Sequence, residues 1–171
     1  MDDKAVLQLI MKRRSIRLFT GEPVSREQLE TLLKAAMAAP SSRDGQPWRF
    51  IVVTDKAKIK AICEAHPYAG FGTTAGAVII PFCKKSSKYS LFQDMAAATQ
   101  NLLLAAAGIG LGATWCGMNE ERQRLIKPLV GLPDELWAFA VIPVGVPAER
   151  KPPRTQYDER KVFWERYEPT E

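Results

Sequence analysis

Three guanidiniums and a hydroxyl fall within five positions at Arg13-Arg14-Ser15-Ile16-Arg17. Arginine presents a planar fork that matches a phosphate bidentately, and a hydroxyl with nearby backbone N–H groups completes such an anion site. Cations of this kind also suit the last turn of a helix, where they favour the dipole and cap orphan carbonyls. The run alone admits both readings. A second stretch, Pro40-Ser41-Ser42-Arg43-Asp44-Gly45-Gln46-Pro47-Trp48, is built from turn formers. It nevertheless carries hydroxyls, a carboxylate and an amide just before an apolar run. That mix of donors and acceptors suits the edge of a flavin or a nucleobase. Read together, the two stretches point to a protein that holds a phosphorylated, planar cofactor.

Other reactive side chains are scarce. His66 is the only histidine, so any Ser-His-Asp or Cys-His triad would have to use it. It ends an amphipathic stretch before Pro67, where a surface histidine near a helix C-terminus is the plainer expectation. The three cysteines, Cys63, Cys83 and Cys116, are odd in number and dispersed. That argues against a disulfide framework and a zinc site and favours three small buried apolar residues. Cys116 has no histidine near it in sequence that would make it a nucleophile. Arg150, Lys151 and Arg154 form a second basic group in a proline-broken stretch. They read as a solvated loop or, if the fold carries them to Arg13, as a second hand on one phosphate. The run Gly108-Ile109-Gly110-Leu111-Gly112-Ala113 imitates a dinucleotide fingerprint. A true fingerprint follows a strand and opens a helix, and here the order is reversed. The better expectation is a helix terminus and a tight approach of backbone to something flat.

Helices and strands must position these groups. Apolar Val6, Leu7, Leu9, Ile10 and Met11 predict a helix over 4–14, capped by Asp2 or Asp3. Ser25 and Gln28 form a capping box ahead of an apolar stripe at Leu29, Leu32, Leu33 and Ala36, ended by Pro40. Residues 49–53 and 76–83 read as strands, with Pro81 marking an edge or an end. Residues 56–65 read as a short helix. Ser90 and Gln93 form a second capping box for a helix over 90–107. Its apolar residues on nearly all sides make it the central buried helix. Further strands are expected at ATWCG (113–117) and over 136–146, with a short helix over 119–130.

The 171 residues are most simply a single domain, with an ordinary hydrophobic fraction of 46%. No stretch has the ~18 apolar residues of a membrane span, and the start MDDKAV is not a secretory signal, so a cytoplasmic protein is expected. The net charge of +5 comes from 24 basic and 19 acidic residues spread along the chain. That spread argues against a nucleic-acid-binding module, which would concentrate them. From Pro147 the chain turns polar, yet its tail carries Tyr157, Val162, Phe163, Trp164 and Tyr167. Aromatics in a polar extension suggest a contact surface: the tail folds back on its own domain or, the preferred expectation, wraps a second copy of the chain.

Four segments in order now carry a resemblance: RRSIR at 13–17, APSSRDGQPWRF at 39–50, QDMAAATQNLLLAAAGIGLGATWCG at 93–117 and VGVPAERKPPR at 144–154. Over nearly its full length the chain resembles the nitroreductase family of FMN-dependent oxidoreductases. The resemblance implies an α+β fold, a central and mostly antiparallel sheet flanked by helices. It implies a homodimer whose C-terminal extension (about 148–171) wraps the partner, with FMN at each end of the subunit interface. Arg13, Arg14, Ser15 and Arg17 look like the family's phosphate and flavin-pyrimidine contacts, and Arg154 like a second phosphate contact. Pro40, Ser41, Ser42, Asp44 and Gln46 look like the loop that meets the flavin from the other subunit. Trp115, Cys116 and Gly117 look like the segment beside the reactive flavin nitrogen.

Two departures stand out. Asp44 replaces a common asparagine and so loses two N–H donors. Pro152 replaces a common basic residue, so phosphate binding would lean on Arg13 and Arg14. The implied activity is reduction of nitroaromatics, quinones or similar small electron-poor acceptors by NAD(P)H in ping-pong fashion. The chemistry would lie on the flavin, with no catalytic protein nucleophile and no metal. A family member with a specialised reaction is the alternative.

Overall fold

A computed structural model describes residues 3–85, 90–154 and 156–167. The helices are α1 (Asp3–Lys12), α2 (Arg26–Met37), α3 (Lys56–Ala65), α4 (Ser90–Gly108) and α5 (Glu120–Ile126). The strands are β1 (Arg49–Val53), β2 (Ala77–Lys84), β3 (Gly112–Ala113), β4 (Cys116–Gly117), β5 (Leu136–Ala138) and β6 (Ala140–Gly145). They form one sheet in the order β1-β2-β6-β3, with β4 added to β6 and β5 to β2, and every pair among them is antiparallel.

Local chemistry sets the helix starts. Ser25 Oγ accepts the Gln28 N–H at 3.2 Å while Gln28 Oε1 accepts the Ser25 N–H at 3.0 Å, the reciprocal capping box expected for α2. Asp55 caps α3 and Asn119 caps α5 in the simpler one-way form. α2 stops at Met37, short of Pro40. Ser90 opens α4 as a helical residue, so it is not the cap that its pairing with Gln93 predicted. Asp2, the other suggested cap of α1, lies outside the described residues.

The sheet divides the core by the period of two that strands impose. Ala77, Ile79, Ala140, Ile142 and Val144 face α2 and α4; Val78, Ile80 and Val141 face α3 and α5. α4 presents Met95, Ala98, Leu102 and Ala106 to the sheet side, all buried. Each fully buried Leu or Met is worth roughly 1.5–3 kcal/mol in water-to-core transfer. The helix is central and largely buried, as its apolar residues on nearly all sides predicted; Phe92, Gln93 and Gly108 are its exposed positions.

The strand predicted over 136–146 is two strands. Ala138 pairs with Phe82 and Ile142 with Ile79, so three residues on one strand face two on β2. The extra residue is a β-bulge at Phe139–Ala140, and a bulge breaks the ladder locally. Pro81 sits opposite it. Its carbonyl accepts the Phe139 N–H, so its imide nitrogen faces the interrupted stretch, where a missing donor costs least. Pro81 therefore lies in an interior strand, not at an edge. The strand expected over 113–117 likewise splits into β3 and β4, both on β6.

Candidate functional site

Residues 13–20 leave α1 in extended form. Ser15 bridges Ala113 in parallel, the Ile16 N–H reaches the Ala113 carbonyl at 3.2 Å, and Thr114 Oγ1 donates to the Ile16 carbonyl at 2.6 Å. On the other side the C-terminal stretch runs back along the segment. Thr20 donates to Val146, Ala148 to Leu18, and Arg154 to the Met11 carbonyl at 2.9 Å. Lys151 Nζ caps the Ser15 carbonyl at 2.7 Å and pairs with Glu149 at 3.0 Å, while Glu149 accepts the Arg17 N–H. The two basic groups, more than a hundred residues apart in sequence, thus lie together.

Lys151 is balanced by Glu149, but Arg13, Arg14 and Arg154 form no ion pair with a described residue. Arg13 is pulled below its ordinary pKa by burial first, then by Arg154 and Arg14. Arg14 Nη1 donates to the Pro152 carbonyl, but its Nε is buried without a partner. Cations crowded with one another and an orphaned buried N–H fit an anion such as a phosphate. Arg17 stands apart from this group, its guanidinium 5.7 Å from the Phe71 ring centroid and close enough to Cys116 to act on its charge.

β4 carries the next predicted group. Thr114 and Met118 donate to Pro143 and Phe139, so by strand alternation the N–H and C=O of Gly117 point away from β6. The Gly117 carbonyl accepts from Arg122 Nη1 at 2.8 Å and contacts His66 Nε2 at 3.1 Å. Gly117 is exposed, and its N–H makes no hydrogen bond to a described residue. Trp115 packs on Phe139 at 5.3 Å between centroids. Cys116 is buried, its thiol pushed up to about 11 by burial, which rules it out as a nucleophile near neutral pH.

The loop at 40–46 sits elsewhere. The Ser42 N–H caps the buried carboxylate of Asp94 on α4 at 2.9 Å, and the Gln46 N–H reaches Ser41 Oγ at 3.0 Å. Asp44 accepts from Gln46 Nε2 at 2.8 Å, so its extra charge is spent inside the loop. Arg43, Asp44 and Gln46 all adopt positive φ (53°, 52° and 39°), a strained cluster in an exposed loop. Pro40 is exposed beside it. Among the described residues no hydrogen bond or ion pair joins this loop to 13–17.

The nitroreductase family model matches residues 10–66 and 64–146. The chain belongs to the nitroreductase family. A relative from Archaeoglobus fulgidus, provisionally named NADH dehydrogenase/NAD(P)H nitroreductase, is 40% identical over 151 residues, covering 85% of this chain and 87% of the relative. A solved structure with the same provisional name from Bacteroides thetaiotaomicron superposes with a TM-score of 0.90 at 37% identity, covering 95% of this chain and 98% of that one. A provisionally named nitroreductase from Desulfovibrio desulfuricans, solved in complex with FMN, gives 0.82 at 32% identity, covering 95% and 98%.

Several residues of this nitroreductase-family chain were not legible as site residues. His66 is 1% exposed, not on the surface as expected. Its Nδ1 accepts the Tyr68 N–H at 3.2 Å, so the proton sits on Nε2, which donates to Gly117. Arg122 stacks over Tyr68 at 4.8 Å, and Cys116 Sγ donates to the Tyr68 carbonyl. Only the scarcity of histidine hinted at this cluster. Glu149 and Asp94 were missed because a single carboxylate carries no pattern, whether in a polar stretch like Glu149 or in an apolar helix like Asp94. At the glycine run the backbone of Gly112 lies tightly against the Ile16 side chain.

Burial lowers the His66 pKa, ahead of an opposing hydrogen bond to Gly117. The neutral ring is therefore favoured in the folded state. Its contribution to stability is complete above the unfolded value of about 6.5 and is lost as pH falls through the lower folded value. Between pH 7.5 and 5.5 the wild type should lose melting temperature faster than His66→Gln, and equal slopes would contradict the assignment.

Proposed function

We propose that the protein is an FMN-dependent NAD(P)H oxidoreductase. It works as a homodimer of single-domain subunits in the cytoplasm and reduces small electron-poor acceptors such as nitroaromatics or quinones. The observation that carries this reading is the convergence of Arg13, Arg14 and Arg154, which repel one another and leave a buried N–H without a partner. The FMN complex of the Desulfovibrio relative supports the choice of anion. FMN supplies hydride acceptance and donation; the protein supplies binding, orientation and electrostatics.

In this reading Arg13, Arg14 and Arg154 hold the phosphate, and Ser15, fixed by its bridge to Ala113, adds a hydroxyl. Arg17, held by Glu149 through its N–H, offers positive charge to the pyrimidine side. The open N–H of Gly117 meets the reactive edge. Trp115 and Cys116 lend it backbone, and His66 and Arg122 hold the peptide from behind. Pro40, Ser41, Ser42, Asp44 and Gln46 serve the site of the second copy, in keeping with their distance in bonding from 13–17. The tail supports the dimer: Tyr157 is 79% and Trp164 80% exposed on the lone chain, surface that a partner would cover.

The test is direct. Purified protein should be yellow, should bleach with NADH or NADPH under anaerobic conditions, and should recover colour on adding a quinone or nitroaromatic. Ping-pong turnover should give parallel double-reciprocal lines. Colourless protein that also ignores added FMN refutes the reading.

A further inference from the structure

The loop at 40–46 forms one wall of a groove of about 960 Å³. Arg43 lies on that wall, Arg49 at the start of β1, and Lys84 and Lys85 at the end of β2. None of these four side chains makes a hydrogen bond or ion pair with a described residue. The one acid lining the groove among the described residues is Asp94, which is buried and turned to the Ser42 N–H. The first turn of the 19-residue α4 also borders the groove and adds the positive end of its dipole. Four cations around one hollow, none of them paired with a described residue and the lining carboxylate spent on backbone, make a surface that favours a polyanion.

We propose that this groove takes the phosphate groups of the nicotinamide dinucleotide donor, with Arg43, Arg49, Lys84 and Lys85 as its cations. The inference rests on the FMN reading above and extends it to the donor. Nitroaromatics and quinones are largely uncharged and give such a lining nothing to bind. The dinucleotide carries a pyrophosphate, and in its phosphorylated form a 2′-phosphate as well. Its nicotinamide must reach the flavin, and the loop assigned to the flavin is the wall of this groove. The donor's charged half would lie along the cations while its reactive ring extends past Gln46.

The experiment uses the FMN-loaded protein and steady-state kinetics with NADH, NADPH and a neutral benzoquinone. The variant is Arg49→Gln/Lys84→Gln/Lys85→Gln, all on exposed positions. Loss of three partly screened contacts should raise the donor KM by about tenfold. FMN content, melting temperature and the benzoquinone KM should hold. Rising salt should weaken donor binding in the wild type and much less in the variant. An effect on both donors assigns the pyrophosphate; an effect on NADPH alone assigns the 2′-phosphate. Lys84→Glu should exceed Lys84→Gln, which separates charge from packing. A yellow variant with an unchanged donor KM, or one whose KM shifts only for the acceptor, overturns the groove and leaves the FMN reading standing. Wild-type protein that binds no FMN overturns both at the first step.

Discussion

Replacing Arg13 and Arg154 together with alanine should cost FMN affinity about two to four orders of magnitude. Each charge-assisted hydrogen bond to a phosphate contributes about 1.5–3 kcal/mol, and every 1.4 kcal/mol is tenfold in Kd. The flavin-free protein should tell the opposite story. In the absence of an anion Arg13 is penalised by burial and by its neighbours Arg154 and Arg14. Removing that repulsion should leave the melting temperature of the flavin-free protein unchanged or slightly raised. FMN would then stabilise the wild type strongly and the variant hardly at all. An FMN titration by fluorescence quenching, with thermal melts with and without FMN, reads both arms. Unchanged FMN affinity would remove the phosphate assignment. A large loss of flavin-free stability would recast the arginines as structural.

Gly112→Ala should damage the same site without touching it. A Cβ at position 112 would lie 2.6, 2.7 and 2.8 Å from Ile16 Cγ2, Cβ and Cγ1. Ile16 cannot escape by changing rotamer, since its own Cβ is among the clashing atoms. Its backbone is tied on both sides, to Ala113 through its N–H and to Thr114 through its carbonyl. The segment 13–17 must therefore lift from β3. Overpacking of this kind costs about 1–3 kcal/mol, visible as a lower urea midpoint with an unchanged slope. FMN affinity should drop as well, because Arg13 and Ser15 move with Ile16. Gly70→Ala is the matched control: its Cβ meets nothing within 4 Å and its φ is not positive. If Gly112→Ala binds FMN like the wild type, the rigid link between β3 and the anion site is wrong.

Much of the secondary structure was written in local chemistry. The capping box at Ser25, the apolar run at 49–53 and the amphipathic stretch at 56–65 yield α2, β1 and α3 nearly to the residue, since caps and periodicity act over a few neighbours. The errors came where distant partners decide. The bulge at Phe139 exists only in register with β2, and that pairing makes Pro81 acceptable in an interior strand. His66 looked like a helix-end surface residue because its partner, Gly117, lies 51 positions away. The convergence of Arg13 with Arg154 was an expectation that periodicity could not supply; the two basic groups raised it as an option and the family resemblance favoured it. Arg17's place over Phe71 and the buried role of Asp94 had no sequence signal at all.

The three cysteines are free and buried, with Cys63 pushed up to about 12 and Cys83 and Cys116 to about 11. At pH 8 about one thiol in a thousand or fewer is ionised, and none is open to reagent. The native chain should therefore be silent toward maleimides, and a single cysteine placed on the tail near Trp164 should become the handle for a fluorescent or spin label. Distances between two such labels would report how two subunits are arranged, with no need to strip out the natural thiols first.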